Sequence, residues 1–279
     1  MKTINSFFVL LSTLAAALIV TTTAQAQTAS LDPGAKYVSL GSSFAAGPGI
    51  DRQLGTCGRS DNNYANIVAR ELDLDLTVAS CNGATIDHIL TVPQGDNPLQ
   101  LDAVTSDTAL VTVTIGGNDI RYTASTFACS GAPASDGCTA NLDQAAINAA
   151  VEQLPGKLTD MFAAIRAEAP EAVIVLVAYP RVFPEEATSC SELDLSEADT
   201  LYLAELGRKL EAAFVASTSN GQALIADAYV RAEGHGPCAD VASERWVNGQ
   251  TIARSGTRYH PTAEGHEAMA RLVLEVLGQ

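Results

Sequence analysis

The sequence predicts an α/β fold of three layers, in which a mostly parallel sheet carries helices on both faces. β-branched and apolar runs, such as the one at 110–115, alternate with segments whose apolar residues recur at helical spacing. The run at 172–178 is apolar throughout. Such continuous runs are typical of strands that are covered on both faces, as in parallel sheets.

The individual elements follow from local signals. The predicted strands lie at 37–40, 76–79, 110–115, 172–178 and 224–226. The predicted helices lie at 64–72, 145–169, 196–217 and 262–277. The first helix follows the cap signals at 61–63, and the second ends before Pro170. Thr262 is the expected N-cap of the last helix, with Glu264 in its first turn.

Polar and glycine-rich segments follow the predicted strands or open the last helix. In sheets of this kind ligands bind at the carboxyl ends of the strands, so we expect these segments to meet there. The four segments are Ser42-Ser43, where the first strand turns into a helix, and those at 79–85, 115–119 and 259–266. Each has an ordinary alternative, since serine is a common N-cap and glycine and asparagine are common in turns.

Together the four segments suit acyl transfer. A serine nucleophile needs a base, and histidine is the usual one near neutral pH. The developing oxyanion needs fixed N–H donors, which a closely approaching glycine backbone and an asparagine amide can supply.

The first 26 residues predict a secretory signal peptide. Lys2 precedes an apolar run at 7–20, and small residues surround a cleavage site after Ala26. A membrane anchor is the alternative, but the run is shorter than the roughly 20 residues that a span needs. We therefore expect an exported protein, extracellular or periplasmic, with one domain at 27–279 and no stable membrane anchor.

Charge and cysteine content agree with export. The net charge of −16 disfavours a nucleic-acid partner, because such binding depends on basic residues. Six cysteines in an exported chain indicate disulfides, and six allow 15 pairings. Their order along the chain suggests three local bridges, Cys57–Cys81, Cys129–Cys138 and Cys190–Cys238. The second would close a loop rich in small residues, and free buried thiols are the alternative.

The motifs resemble those of the SGNH hydrolases, also called GDSL-type lipases and esterases. The family's Gly-Asp-Ser-x-x-x-Gly block matches 41–47, and its Gly-x-Asn-Asp block matches 116–119. The resemblance implies a flavodoxin-like SGNH fold, with Ser43 as nucleophile and His260 as base. It also implies an oxyanion hole made by the N–H groups of Ser43 and Gly83 and the amide of Asn118. The cysteines and leader are similar to those of the secreted Streptomyces-type lipases in this family.

This resemblance implies a secreted carboxylic-ester hydrolase that acts through an acyl-serine intermediate. We expect acyl lipids or small esters as substrates, no cofactor or metal, and a monomer. An aromatic content of 5% gives little support for a sugar-stacking cleft. Two alternatives remain: a carbohydrate O-acetylesterase, and a secreted binding protein that has lost catalysis.

Two positions depart from the family pattern. Ser42 stands where the family has Asp before the nucleophile, which leaves Ser42 as an alternative exposed hydroxyl. Thr257 stands where the family has the acid that orients the histidine. In serine proteases replacing that acid costs about 10⁴-fold in rate. We expect a main-chain carbonyl at or near Thr257 to take its place, and the alternative is an acid from elsewhere, Asp240 or Glu244.

The other three histidines, His88, His235 and His266, are interpreted as structural. A zinc site would need further ligands at suitable spacing, and no such pattern occurs in the sequence.

Overall fold

The protein is described by a computed structural model that covers residues 31–130, 137–186 and 190–279. The predicted signal peptide lies outside the described residues. The strands are β1 Lys36–Gly41, β2 Gln53–Leu54, β3 Arg59–Ser60, β4 Asp75–Val78, β5 Thr108–Thr114, β6 Val173–Val177 and β7 Leu224–Ala226. The helices are α1 Ser43–Ala46, α2 Tyr64–Leu72, α3 Ile86–Leu90, α4 Tyr122–Cys129, α5 Gln144–Glu168, α6 Glu197–Thr218, α7 Ala228–Arg231 and α8 Ala263–Val276. Short 3₁₀ helices occupy Gln100–Ala103, Thr139–Asn141 and Ala242–Glu244.

The predicted α/β fold is confirmed, and all five predicted strands and four long helices are present. The helices α3, α4 and α7 and the β2–β3 hairpin were not predicted, because elements this short carry too little periodicity. One local expectation is wrong: Cys129 is the last residue of α4 rather than part of a loop.

The main sheet is parallel and has the order β4-β1-β5-β6-β7. β1 lies between β4 and β5, so the chain adds β4 on one side of β1 and adds β5, β6 and β7 on the other side. A crevice forms at the carboxyl ends of the strands at such a switch point. β1 and β5 end there together, since Gly41 pairs with Thr114.

Two cores cover the sheet. On one face, side chains such as Val38 and Val113 pack against α3, α5 and α6. On the other face, Tyr37 and Leu110 pack against α2 and α8. Burial of both faces explains why the strands are apolar without alternation.

The structure contains three disulfides, Cys57–Cys81, Cys129–Cys138 and Cys190–Cys238, the pairing that the order of the cysteines suggests. Within the described ranges no helix has the length and apolar character needed to cross a membrane.

Candidate active site

Ser43 is placed by the backbone at the end of β1. Gly41 has a φ of +135°, and a Cβ there would collide with the carbonyl oxygen of Thr114. The N–H of Ser42 donates to the same carbonyl at 2.9 Å, which continues the β1–β5 pairing for one more residue. Ser43 then begins α1. The turn therefore holds the hydroxyl of Ser43 at the carboxyl edge of the sheet.

Ser43 and His260 are brought together from positions 217 residues apart. Oγ of Ser43 lies 2.8 Å from Nε2 of His260. Nδ1 of His260 lies 2.8 Å from the carbonyl oxygen of Arg258. A carbonyl only accepts, so Nδ1 carries the proton and Nε2 is free to accept the hydrogen of the serine hydroxyl.

The acceptor for His260 is thus a main-chain carbonyl, as expected, at Arg258 rather than at Thr257 itself. The alternative acids do not reach the ring. Asp240 and Glu244 are both exposed, and in the part of the chain that the structure describes the ring's hydrogen bonds go to Ser43 and Arg258. Burial, as the larger effect, lowers the pKa of His260, while the bond to the Arg258 carbonyl acts in the opposite direction.

Asn248 organises the loop that carries His260. Its buried amide nitrogen donates to the carbonyls of Ser255 and Thr257, at 2.7 and 3.2 Å. Its backbone N–H donates to the carbonyl of His260 at 3.0 Å. The loop has no long strand or helix of its own before α8, so these bonds replace regular structure.

Ser42, the alternative nucleophile, is turned away from the site. Its side chain is fully buried, and Oγ lies 2.8 Å from the hydroxyl of Tyr179. Tyr179 follows β6, and its ring packs on Phe44 with ring centroids 4.1 Å apart. Desolvation raises the pKa of Tyr179, so this hydroxyl is neutral at physiological pH.

The three expected oxyanion donors lie at one pocket. Gly83, with a φ of +79°, and Asn118 both line it beside Ser43. One N–H of Asn118 donates to the carbonyl of Ala84 at 2.8 Å, which leaves its second N–H for a ligand. Asp119 accepts from the N–H of Ile86 at 3.2 Å. Asn118 and Asp119 therefore connect the segment that follows Gly83 to the segment that follows β5.

Sequence reasoning missed Tyr179 and the anchoring role of Asp119. A signal for Tyr179 exists in Gly117, because a Cβ there would lie 2.8 Å from the Tyr179 ring. That contact exists because β5 and β6 are neighbours in the sheet, and a single sequence does not reveal which strands are neighbours.

The pocket has a volume of about 420 Å³ and combines polar and apolar walls. Its polar side carries the groups already described, together with Asn82. The rest of the wall is formed by Pro48, Thr123, Ala124, Phe127 and Thr257.

The other histidines have structural partners. His266 is fully buried and accepts from the N–H of Tyr64 at 3.1 Å, and burial lowers its pKa to about 3. His88 closes a capping box with Thr85, and His235 stacks on Trp246 at 4.6 Å.

In the described part of the chain one group of potential metal ligands comes together: Cys129, Cys138 and Asp199. Both sulfurs belong to a disulfide. The Asp199 carboxylate accepts from the N–H groups of Cys138 and Thr139 and from the hydroxyl of Ser196. These atoms are used within the protein.

His260 is buried, its Nδ1 is held by a main-chain carbonyl, and its Nε2 contacts a serine hydroxyl. This arrangement defines the site of a serine hydrolase. The chain belongs to the GDSL-like Lipase/Acylhydrolase family, whose model matches residues 39–268. It is a serine ester hydrolase of the lipase and esterase type.

Individual relatives agree with this assignment. The chain is 31% identical over 272 residues to Lipase 2 of Streptomyces coelicolor, covering 92% of this chain and 90% of the relative. It superposes on the extracellular lipase of Streptomyces rimosus with a TM-score of 0.71 and 28% identity, covering 88% and 99% of the two chains. Phospholipase A1 of Streptomyces albidoflavus gives a TM-score of 0.70 and 25% identity, covering 88% and 98%.

Proposed function

We propose that this protein is an exported carboxylic-ester hydrolase that works through an acyl-serine intermediate. The observation that carries the proposal is the 2.8 Å contact between Ser43 Oγ and His260 Nε2, with Nδ1 held by the Arg258 carbonyl. This arrangement prepares the hydroxyl for deprotonation and needs no ionised partner behind the histidine.

In the first half-reaction Ser43 Oγ attacks the ester carbonyl carbon, while His260 Nε2 takes the hydroxyl proton. The carbonyl π electrons move onto oxygen and form a tetrahedral oxyanion. When the oxyanion collapses, the bond to the alcohol breaks, and His260 gives its proton to the leaving alcohol. In the second half-reaction His260 takes a proton from water as the water attacks the acyl-serine. The acid is released and Ser43 regains its proton.

The oxyanion would be held by the backbone N–H groups of Ser43 and Gly83 and by the free N–H of Asn118. Such donors act in a partly desolvated pocket, where removing one typically costs about 10²–10³ in kcat. The ties from Asn118 and Asp119 to the segment at 84–86 support this assignment, because donors that are fixed in advance need little reorganisation.

The substrates we propose are acyl lipids or small acyl esters. Pro48, Ala124 and Phe127 line the pocket beside the reacting groups and offer an apolar surface to an acyl chain. The related proteins carry the names lipase, esterase and phospholipase A1, which favours acyl substrates over polysaccharides.

Export is proposed from the leader predicted at 1–26 and from the three disulfides, which form in oxidising compartments. Cleavage after Ala26 leaves Gln27 as the first residue. N-terminal sequencing of exported protein that still begins at Met1 would contradict the leader.

The test is hydrolysis of p-nitrophenyl acetate, butyrate and palmitate by the oxidised protein and its Ser43→Ala variant. We expect Ser43→Ala to lose at least about 10⁴-fold in kcat, because the nucleophile is removed. Ser42→Ala is the matched control: it removes the adjacent, buried hydroxyl, and we expect it to stay within about tenfold of the wild type.

The outcomes separate the alternatives. Turnover confined to the acetate would favour a carbohydrate O-acetylesterase. An inactive wild type with a cooperative unfolding transition would favour a binding protein that has lost catalysis. Equal activity in Ser43→Ala and the wild type would refute the acyl-serine mechanism.

A further inference from the structure

The residue between Arg258 and His260 has an unusual backbone. Tyr259 has a φ of +56°, in the left-handed region that aromatic residues rarely occupy. This conformation places the carbonyl of residue 258 against the ring of residue 260, only two positions away. The orientation of His260 therefore depends on a strained backbone at Tyr259, and something must hold that strain.

The Tyr259 side chain is anchored at its far end. Its ring is buried, and its hydroxyl donates to the carbonyl oxygen of Leu193 at 2.5 Å. Its hydrogen is shared with Oγ of Ser130, which accepts at 3.0 Å because Ser130 gives its own hydrogen to Gln250. The Tyr259 backbone N–H donates to the carbonyl of Gly249 at 3.1 Å. The residue is thus held from both its side chain and its backbone.

Both side-chain anchors lie beside disulfides. Ser130 directly follows Cys129, which is bonded to Cys138. The N–H of Leu193 donates to the carbonyl of Cys190, which is bonded to Cys238. The hydroxyl of Tyr259 therefore contacts two segments that disulfides connect to other parts of the chain. These segments give the side chain a fixed support.

A second connection reaches the same place. Ser130 donates to the amide oxygen of Gln250 at 2.8 Å, and Arg258 donates to that oxygen at 2.9 Å. The Arg258 guanidinium also lies over the Phe127 ring, 5.4 Å from its centre. The two residues before His260 are thus fastened to the end of α4 through separate bonds.

We propose that Tyr259 is a positioning residue of this hydrolase, whose side chain holds the turn that presents the Arg258 carbonyl to His260. The inference rests on the proposed reaction of Ser43 and His260. When the imidazole takes the serine proton it becomes positively charged, and its Nδ1–H then depends on its acceptor. A neutral carbonyl stabilises the imidazolium less than a carboxylate does. The alignment of the carbonyl with the Nδ1–H therefore has a larger effect on catalysis.

The test is Tyr259→Phe, which keeps the ring and removes the two hydroxyl contacts. We expect kcat on p-nitrophenyl butyrate to fall about tenfold while KM stays within about twofold. We also expect the acid limb of the kcat/KM profile to move to lower pH, because a poorly aligned acceptor stabilises the imidazolium less.

Tyr37→Phe is the matched control. Tyr37 is also fully buried, and its hydroxyl makes a 2.8 Å bond to Thr112 inside the sheet, away from the pocket. We expect it to lower Tm without changing kcat or the pH profile. Ser130→Ala removes one of the two contacts of Tyr259 together with the bond from Ser130 to Gln250. Because the Leu193 contact remains, we expect a smaller change in the same direction, even if Tyr259→Phe folds poorly.

If Tyr259→Phe and Ser130→Ala lower Tm but leave kcat and the pH profile as in Tyr37→Phe, the role of Tyr259 is structural and the inference is overturned. That result differs from failure of the proposed function, which would appear as activity retained in Ser43→Ala.

Discussion

The two reacting side chains reach the pocket by different means. Ser43 stands at the end of β1, where the pairing of Gly41 with Thr114 fixes the backbone. His260 stands in an irregular loop that is held by Asn248, by the side chain of Tyr259 and by the segments that these residues contact. The serine side therefore depends on sheet geometry, and the histidine side depends on individual long-range bonds.

This difference bears on the missing acid. The backbone at a strand end is fixed by its pairing and has few other arrangements. A loop has more, and it can present a main-chain carbonyl where a carboxylate is absent. Thr257 stands where the family resemblance predicts an acid, and the turn at Tyr259 brings the Arg258 carbonyl to the ring. The loop thus compensates with backbone for a side chain that the sequence lacks.

The largest effect on stability is expected on the serine side, from Gly41→Ala. The new Cβ would collide with the Thr114 carbonyl, and φ is positive, so we expect the free energy of unfolding to fall by about 3 kcal/mol or more. Gly55→Ala is the control: φ is +66° there, but nothing lies within 4 Å of the new Cβ, and we expect a loss of about 1 kcal/mol. Urea unfolding measures both. Equal losses would mean that the turn relaxes and the sheet does not hold the serine.

A moderate effect is expected on the histidine side, in the pH dependence. His260 must be neutral to accept the serine proton, and burial lowers its pKa below the ordinary 6.5. Activity should therefore be present above that lowered pKa and fall as the pH decreases through it. We expect the acid limb of kcat/KM to have its midpoint below 6.5, measured with p-nitrophenyl butyrate and with Ser43→Ala as the blank. A midpoint above 7 would instead indicate a carboxylate beside the ring.

The smallest effect is expected from Asp240→Ala and Glu244→Ala. Both side chains are exposed, and the ring that they would have to orient is already bonded to Arg258. We expect kcat within about twofold of the wild type for each variant, since exposed positions away from a site change little. A 100-fold loss of kcat in either variant, with Tm unchanged, would mean that an acid rather than the Arg258 carbonyl orients His260. The contrast between the serine side and the histidine side would then not hold.

Much of the fold was predictable because its signals are local. The apolar runs at 110–115 and 172–178 indicate buried strands, and Asn63 and Thr262 do cap the helices α2 and α8. The serine turn was predictable from a local pattern, an apolar run followed by glycine and two serines, although the reason why Gly41 is required, the Thr114 carbonyl, lies on another strand. None of these signals gives the order of the strands, which the structure shows to be β4-β1-β5-β6-β7.

The sequence by itself determined the alternation of strands and helices, the candidate groups at Ser43, Gly83, Asn118 and His260, and a disulfide framework. The alternation and the cysteine framework depend on composition and on residues that are near one another in the chain. The candidate groups depend on short motifs, and the resemblance to the SGNH hydrolases supplies their roles. Only the tertiary structure decided that Arg258 supplies the acceptor for His260, that Ser42 turns inward to Tyr179, and that Tyr259 is held by Leu193. Ser42 and Tyr179 are 137 positions apart, and Tyr259 and Leu193 are 66 apart. Contacts at such separations are set by packing of the whole chain, and no local pattern carries them. The contact between Arg258 and His260 spans two positions, but it forms in a turn that the distant contacts of Tyr259 hold.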